Sequence, residues 1–193
     1  MKSFEEFLTE KRVTNTSIKQ KEKRACADMP ALAFDVEDLP KLKEMIDDGC
    51  DIDYVDEDGW TALGYAVRYH NIDAVKYLLE EGADPEVDIG SMDTSAIYYC
   101  LATPEYENID YSIMELLLKH GADMNRPNRV GYTPFMVVAK NEKDNSKVYS
   151  LLKKYNKTPS DTKSFITQET VWDIAERENN KVFLNHFPRP KGK

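Results

Sequence analysis

Histidine is the side chain of this sequence best suited to acid–base catalysis or metal binding, and the chain has three of them. His70, His120 and His186 are widely separated and show none of the spacings typical of a zinc site. His70 and His120 also lie next to predicted helix ends, where a solvated or capping histidine is ordinary. Glycine-rich nucleotide loops, HExxH and GxSxG motifs are absent from the sequence. We therefore predict no catalytic residues, no metal site and no cofactor.

The cysteines give a second indication about chemistry. Cys26, Cys50 and Cys100 are odd in number and widely spaced. That pattern fits neither a disulfide framework nor a CxxC metal site. We expect free thiols in a reducing compartment.

Charge limits the classes of partner. The chain has 193 residues, 41% of them hydrophobic, and a formal net charge of −9. Eleven acidic residues fall within 35–58 and six more within 80–93. Direct nucleic-acid binding needs clustered Lys and Arg, so it is not expected, and a basic partner would be better matched. The sequence has no apolar run of the roughly 18 residues that a membrane span needs, so no membrane partner is expected.

The elements that position these residues come from an internal repeat. Residues 56–87 contain two apolar sets with helical spacing, separated by a short turn. Thr61 is placed to cap the first helix, and Gly82 is placed to end the second in a left-handed conformation. Gly59 supplies a turn before the first helix. The unit is therefore a helix, a turn, a second helix and a projecting loop.

Copies of this unit recur along the chain with shifts close to multiples of 33 residues. About five residues are inserted in the third copy, around 103–108. In the fourth copy Tyr155 stands where the helix-ending glycine is expected. A last, shorter copy through Val182, Leu184 and Phe187 has the polar face of a terminal cap.

These residues resemble the ankyrin repeat family, whose signatures stand here as TALGYA, SAIYYC, TPFMVV, LLEEGADPE and LLLKHGADMN. Gly64 and Met136 replace the signature histidine. The resemblance implies an all-α ankyrin-repeat solenoid of about four helix-turn-helix repeats plus a C-terminal cap, with projecting β-turn fingers. We expect an N-terminal arm at 1–27, the repeat domain at 28–188 and a tail at 189–193. Such a fold implies protein binding and no catalysis.

The repeat register predicts which residues meet a partner. Trp60, Thr94 and Tyr132 occupy equivalent finger tips, and a rigid aromatic ring there is a plausible anchor. Because Arg126 and Arg129 follow two acidic fingers, the row of fingers is expected to change sign. The predicted contact residues are Trp60, Tyr132, Glu57, Asp58, Arg68, Tyr69 and Arg129. Two alternatives stay open: the rings pack on neighbouring fingers, and the acids merely solvate the surface.

Residues 1–10, MKSFEEFLTE, form a candidate amphipathic helix suited to docking. They also resemble the capsid-targeting sequence of internal head proteins of T-even-like bacteriophages. That resemblance implies cleavage by the prohead protease after Leu8-Thr9-Glu10, with Leu8 and Glu10 as processing residues. It further implies location in the phage virion head and then in the host cytoplasm, where the protein binds and inhibits a bacterial partner such as a defence enzyme.

Three other functions stay open at this point. The chain is a cytosolic ankyrin adaptor, an acidic mimic of DNA that inhibits a nucleic-acid enzyme, or a structural component of a virion. Steep salt dependence would mark the mimic, and retention in emptied heads would mark the structural component. The sequence leaves the partner, the oligomeric state and the copy number open.

Overall fold

A computed structural model describes residues 26–101, 110–141 and 146–190. The predicted processing residues Leu8 and Glu10 lie outside these ranges, as do most of the 1–27 arm, the insertion at 103–108 and the last three residues. In the described ranges the chain forms a 3₁₀ turn and nine α-helices, none long and apolar enough to span a membrane. The 3₁₀ turn is Pro30–Ala33, and the helices are α1 (Leu39–Asp47), α2 (Ala62–Arg68), α3 (Ile72–Glu80), α4 (Ala96–Leu101), α5 (Tyr111–Lys119), α6 (Pro134–Lys140), α7 (Ser146–Lys154), α8 (Val171–Arg177) and α9 (Lys181–His186).

The helices pack in two layers. The 3₁₀ turn, α2, α4, α6 and α8 contact one another in order and form the inner layer. Helices α3, α5 and α7 do the same in the outer layer, where α1 and α9 pair with the first and last inner elements. One continuous apolar core lies between the layers. The predicted all-α solenoid of helix-turn-helix repeats is therefore confirmed.

Three threonines begin inner helices, and the first of them, Thr61, is the cap that the sequence predicts. Thr61, Thr133 and Thr170 each accept a hydrogen bond through the side-chain oxygen from the backbone N–H three residues further on, at 3.0–3.3 Å. These bonds satisfy amides that have no partner inside the helix. The first repeat lacks this threonine, and its inner element is only the 3₁₀ turn.

The outer helices end at a left-handed residue, and here the predicted register of the fourth repeat is wrong by one position. Gly82 ends α3 with φ +95°, as predicted. After α7 the equivalent conformation belongs to Asn156 at φ +52°, and not to Tyr155. The N–H of Lys157 then donates to the Leu152 carbonyl at 2.8 Å. Asparagine tolerates this conformation better than other non-glycine residues, so the helix ends without glycine.

The prediction of three free thiols is wrong for two of them. Cys26 and Cys50 form a disulfide, and this bond attaches Cys26 to the end of the first repeat although the sequence assigned it to the arm. Among the described cysteines Cys100 alone is free. Burial, followed by the charge of Asp110, raises the pKa of the Cys100 thiol to about 12. That thiol is therefore a packing group at neutral pH.

The loops between repeats form a row of four fingers. We define finger 1 as residues 51–60, finger 2 as 84–94, finger 3 as 123–132 and finger 4 as 157–169. Neighbouring fingers are joined by one backbone hydrogen bond each, so the row is continuous. These bonds are Gly90 N–H to Gly59 O (2.7 Å), Arg129 N–H to Met92 O (3.0 Å) and Phe165 N–H to Val130 O (3.0 Å).

Gly131 lies where finger 4 approaches finger 3, and replacing it with alanine should be destabilising. Its φ is +78°, and an added Cβ would lie 2.6 Å from the backbone nitrogen of Phe165. We expect the free energy of unfolding to fall by about 2 kcal/mol, from left-handed strain plus the disturbed hydrogen bond to Val130. Urea denaturation measures this loss.

Gly121→Ala is the matched control for Gly131→Ala. Gly121 has φ +100°, but nothing lies within 4 Å of its added Cβ. The control should therefore show only the conformational strain, about 1 kcal/mol. Equal losses in the two variants would contradict a role for the contact between fingers 3 and 4.

Candidate protein-binding surface

Trp60 does not project from finger 1 as an exposed anchor, which corrects the expectation from the repeat register. Only 8% of the residue is exposed. The cause is Gly64, since a Cβ there would lie 3.1 Å from Trp60 Cε3 and 2.9 Å from Ile89 Cδ1. The indole and Ile89 fill the space left by the missing side chain. The Trp60 ring therefore packs on the neighbouring finger, which is one of the two alternatives that the sequence leaves open for it.

The indole instead forms part of a row of five rings contributed by three repeats. Centroid distances are 4.8 Å from Trp60 to Tyr99, 5.6 Å from Trp60 to Tyr65 and 6.3 Å from Tyr65 to Tyr69. Phe34 meets Tyr69 edge-on at 4.3 Å. Phe34 and Tyr69, at one end of the row, are 51% and 44% exposed. We call these five residues the aromatic strip.

Arg68 lies on this strip. Its guanidinium carbon is 4.9 Å from the centroid of the Trp60 ring and 5.7 Å from that of Tyr69. Among the described residues, no carboxylate lies within ion-pair distance of Arg68. The rings therefore place this exposed cation through cation–π attraction and stacking.

Carboxylates of finger 1 border the strip. Asp56 accepts hydrogen bonds from the backbone N–H groups of Asp58 at 3.0 Å and Trp60 at 2.9 Å. Burial raises the pKa of Tyr65 to about 12, with a side-chain hydrogen bond to Asp56 and the charges of Asp56 and Asp58 adding to the effect. Tyr65 therefore stays a neutral phenol at physiological pH. The predicted contact residues Glu57 and Asp58 are exposed beside it.

The predicted change of sign along the fingers is largely cancelled within the chain. Arg129 binds Asp93 through two nitrogen–oxygen contacts of 2.9 and 3.0 Å. Arg126 lies 2.6 Å from a carboxylate oxygen of Asp88 and 3.6 Å from one of Glu86. The basic residues of finger 3 thus pair with three of the four acids of finger 2, Glu86, Asp88 and Asp93. The prediction of Arg129 as a contact residue stays untested, but the structure places it in an internal ion pair.

Tyr132 also lies inward of the finger tips. It is half-buried against the core. Its backbone N–H donates to the Asn128 side chain at 2.9 Å. The most exposed large apolar side chains described in the finger row are Phe165 (63%) and Ile166 (73%) on finger 4. The repeat register does not predict this pair, although two consecutive apolar residues in a polar connection indicate it.

A ladder of polar side chains holds successive fingers in register. In each case a side-chain oxygen accepts from a backbone N–H at the start of the next finger. These contacts are Asp53 with Asp84 N–H (2.9 Å), Glu86 with Asp123 N–H (2.9 Å) and Asn125 with Ser160 N–H (2.8 Å). The acceptor is a carboxylate in Asp53 and Glu86, whereas it is a neutral amide in Asn125. Burial is the largest cause that raises the pKa of both Asp53 and Glu86.

Asp53→Asn should therefore stabilise the protein at pH 7, by about 0.5 kcal/mol. The amide keeps the acceptor oxygen for Asp84 N–H and removes repulsion from the charges of Asp84 and Asp51. Since the folded pKa of Asp53 is raised, the unfavourable contribution of this one group to stability is relieved as pH falls through that pKa, and the relief is complete below the unfolded pKa. The advantage of the variant should shrink over the same range. Urea denaturation at pH 7 and below pH 4 tests this, with exposed Asp58→Asn as the charge-matched control.

Comparison with known proteins agrees with the fold. Residues 18–89 match the family model described as "Ankyrin repeats (3 copies)". These residues are therefore similar to ankyrin repeats, and the two layers of helices with their fingers fit an ankyrin-repeat solenoid.

Among curated proteins, the chain is similar to mammalian proteins named "Ankyrin repeat, SAM and basic leucine zipper domain-containing protein 1". The mouse protein is 35% identical over 103 residues, which is 53% of this chain and 21% of that protein. The horse protein is 36% identical over the same shares. The chain thus spans about a fifth of the length of the relatives it matches, and the similarity concerns the repeats.

The described residues contain no group of three or more His, Cys, Asp or Glu side chains arranged to hold a metal ion. What the surface does offer is a row of rings, an exposed guanidinium and a border of carboxylates. This arrangement is suited to non-covalent recognition.

Proposed function

We propose that the chain is a non-catalytic protein-binding module whose contact surface is the aromatic strip together with finger 1. The observation that carries this proposal is the exposure of Phe34, Arg68 and Tyr69 on one side of the inner layer. Ankyrin repeats support protein binding in general. The choice of surface rests on these side chains.

The aromatic strip is expected to contribute more to binding affinity than the exposed carboxylates do. Aromatic rings are enriched among the residues that contribute most to binding, because they bury much area with few rotatable bonds. Here Tyr65 and Trp60 fix the positions of their neighbours, so little side-chain entropy remains to be lost. Exposed carboxylates mainly steer association and select the partner.

The test is capture of the partner from the protein's natural source by cross-linking, followed by binding measurements on the purified pair. Phe34→Ala with Tyr69→Ala removes the exposed end of the strip. Phe165→Ala with Ile166→Ala is the matched control, since it removes an exposed aromatic–aliphatic pair from finger 4. Circular dichroism checks that both variants fold.

We expect the Phe34/Tyr69 variant to lose at least tenfold in affinity and the control to bind like the wild type. Loss only in the Phe165/Ile166 variant would place the interface on finger 4. Unchanged binding in both variants would contradict the proposed surface.

A more specific role rests on residues 1–10 alone. Their likeness to a capsid-targeting sequence supports a protein that is processed after Glu10, carried in a phage head and delivered to a host to inhibit a defence protein. These residues lie outside the described ranges, and the relatives of the repeats named above are mammalian. The cytosolic adaptor, the DNA mimic and the structural virion protein remain its alternatives.

Intact-mass and terminal-peptide mass spectrometry of the protein from its natural source distinguishes these roles. A chain that starts at Lys11 and occurs in purified virions is the result expected for the packaged protein. A start at Met1 or Lys2 in cell cytosol would contradict packaging and favour the adaptor.

A further inference from the structure

We propose that the segment recognised by the aromatic strip and finger 1 is cationic and carries arginine. This inference rests on the proposed function and adds the chemistry of the partner. Two independent observations support it: the geometry of Arg68 on the rings, and the distribution of unpaired acidic residues.

The geometry of Arg68 demonstrates that these rings accept a guanidinium. One guanidinium already lies within 6 Å of the centroids of both Trp60 and Tyr69. That distance is the range in which a ring face attracts a cation. The strip continues past Arg68 to Phe34 on one side and Tyr99 on the other. A second guanidinium can therefore stack further along the same row.

The charges around the strip favour a positive partner. Residues 26–101 contain nineteen acidic and four basic residues. Three of the four acids of finger 2, Glu86, Asp88 and Asp93, are engaged by Arg126 and Arg129. Finger 1, by contrast, has no ion pair among the described residues. Glu57 and Asp58 on finger 1 are exposed and adjoin Trp60. A partner guanidinium on the rings would thus meet carboxylates close by, which is the combination that arginine recognition uses.

Arg68 then acts as an internal competitor. It occupies ring faces that a partner arginine would use, and it carries the same charge. Removing its charge should strengthen binding. If Arg68 instead contacted an acidic partner directly, the same change would weaken binding, so the sign of the effect separates the two models.

The probe is a synthetic peptide of alternating arginine and glycine, titrated into the full chain by isothermal calorimetry at about 0.15 M salt. The control peptide replaces every arginine with citrulline, which keeps the planar shape but not the charge. We expect saturable binding of the arginine peptide and none of the citrulline peptide. Equal binding of both peptides, or binding of neither, overturns the inference.

Two pairs of variants separate a defined site from general attraction by a chain of net charge −9. Glu57→Gln with Asp58→Asn should weaken peptide binding about threefold or more, and Glu80→Gln with Glu81→Gln, at the end of outer helix α3, should leave it unchanged. Arg68→Met should strengthen binding about threefold, and Lys76→Met on α3 should leave it unchanged. Equal effects within either pair would mean non-specific attraction and overturn the inference.

The outcome also separates this inference from the proposed function. If the natural partner depends on Phe34 and Tyr69 but the arginine peptide does not bind, the surface is correct and the partner chemistry is wrong. If the peptide binds at the strip but the natural partner binds the Phe34/Tyr69 variant as tightly as the wild type, the proposed function is wrong. The cation-binding site is then still supported.

Discussion

Replacing Asn180 with alanine is expected to lower the free energy of unfolding by about 3 kcal/mol. The side chain is 2% exposed. Its Nδ2 donates to the carbonyls of Val138 (3.4 Å), Ala139 (3.0 Å) and Asn141 (2.8 Å), at the end of α6. Its Oδ1 accepts from Phe183 N–H at 2.9 Å and so begins α9. Alanine would leave buried groups of both helices without partners, and urea denaturation would measure the cost.

Two further variants separate the parts of this effect. Asn71 occupies the equivalent position in the second repeat, but within the described part of the chain it donates to one carbonyl, that of Ala33, at 3.1 Å. Asn71→Ala should therefore cost less, about 2 kcal/mol. Asn180→Asp keeps the acceptor for Phe183 and loses the donor, as in the third repeat, where Asp110 caps α5. If Asn180→Asp lowers the free energy of unfolding only slightly at pH 7, the importance of the donated hydrogen bonds is contradicted.

The fold was predictable because its determinants are local and recur. Thr61 caps α2 through a residue three positions away, and Gly82 ends α3 through its own backbone conformation. Each signal needs only a few residues of sequence, and a second copy at a shift of about 33 residues confirms it. The same local signals therefore occur several times in the sequence, once in each repeat, and support one another.

The surface was less predictable because it depends on contacts between repeats. The inward turn of Trp60 follows from the absence of a side chain at Gly64, and Ile89 from the next finger fills the same space. Arg129 reaches Asp93 across 36 positions of sequence. Periodicity predicts the side of the solenoid on which a residue lies. It does not predict which residue of a neighbouring repeat packs against it or pairs with its charge.

These contacts between repeats also change the electrostatic interpretation. The sequence indicates acidic fingers followed by a basic one, whereas the folded chain pairs Arg126 and Arg129 with the acids of finger 2. Negative charge without an internal partner is left on finger 1, beside the rings. The polarity offered to a partner is therefore a property of the packed repeats and not of the linear charge sequence.

The cysteines provide the second large effect. Replacing Cys26 and Cys50 together with serine is expected to lower the free energy of unfolding in non-reducing buffer by about 3 kcal/mol. The disulfide closes a loop with a sequence separation of 24 and so restricts the unfolded chain. Within the described residues the first repeat packs against a neighbour on one side only, so this bond also limits its fraying. Urea denaturation of wild type and variant would measure the difference.

Reductant supplies the control for this variant. It should destabilise the wild type to the level of the double serine variant and leave that variant unchanged, because the remaining described thiol, Cys100, is buried and free. Cys100→Ala should keep the response of the wild type to reductant. Mass spectrometry under non-reducing conditions, with alkylation of free thiols, counts the disulfide directly. Three alkylated cysteines without reduction would contradict the bond, and the expectation of free thiols would then be restored.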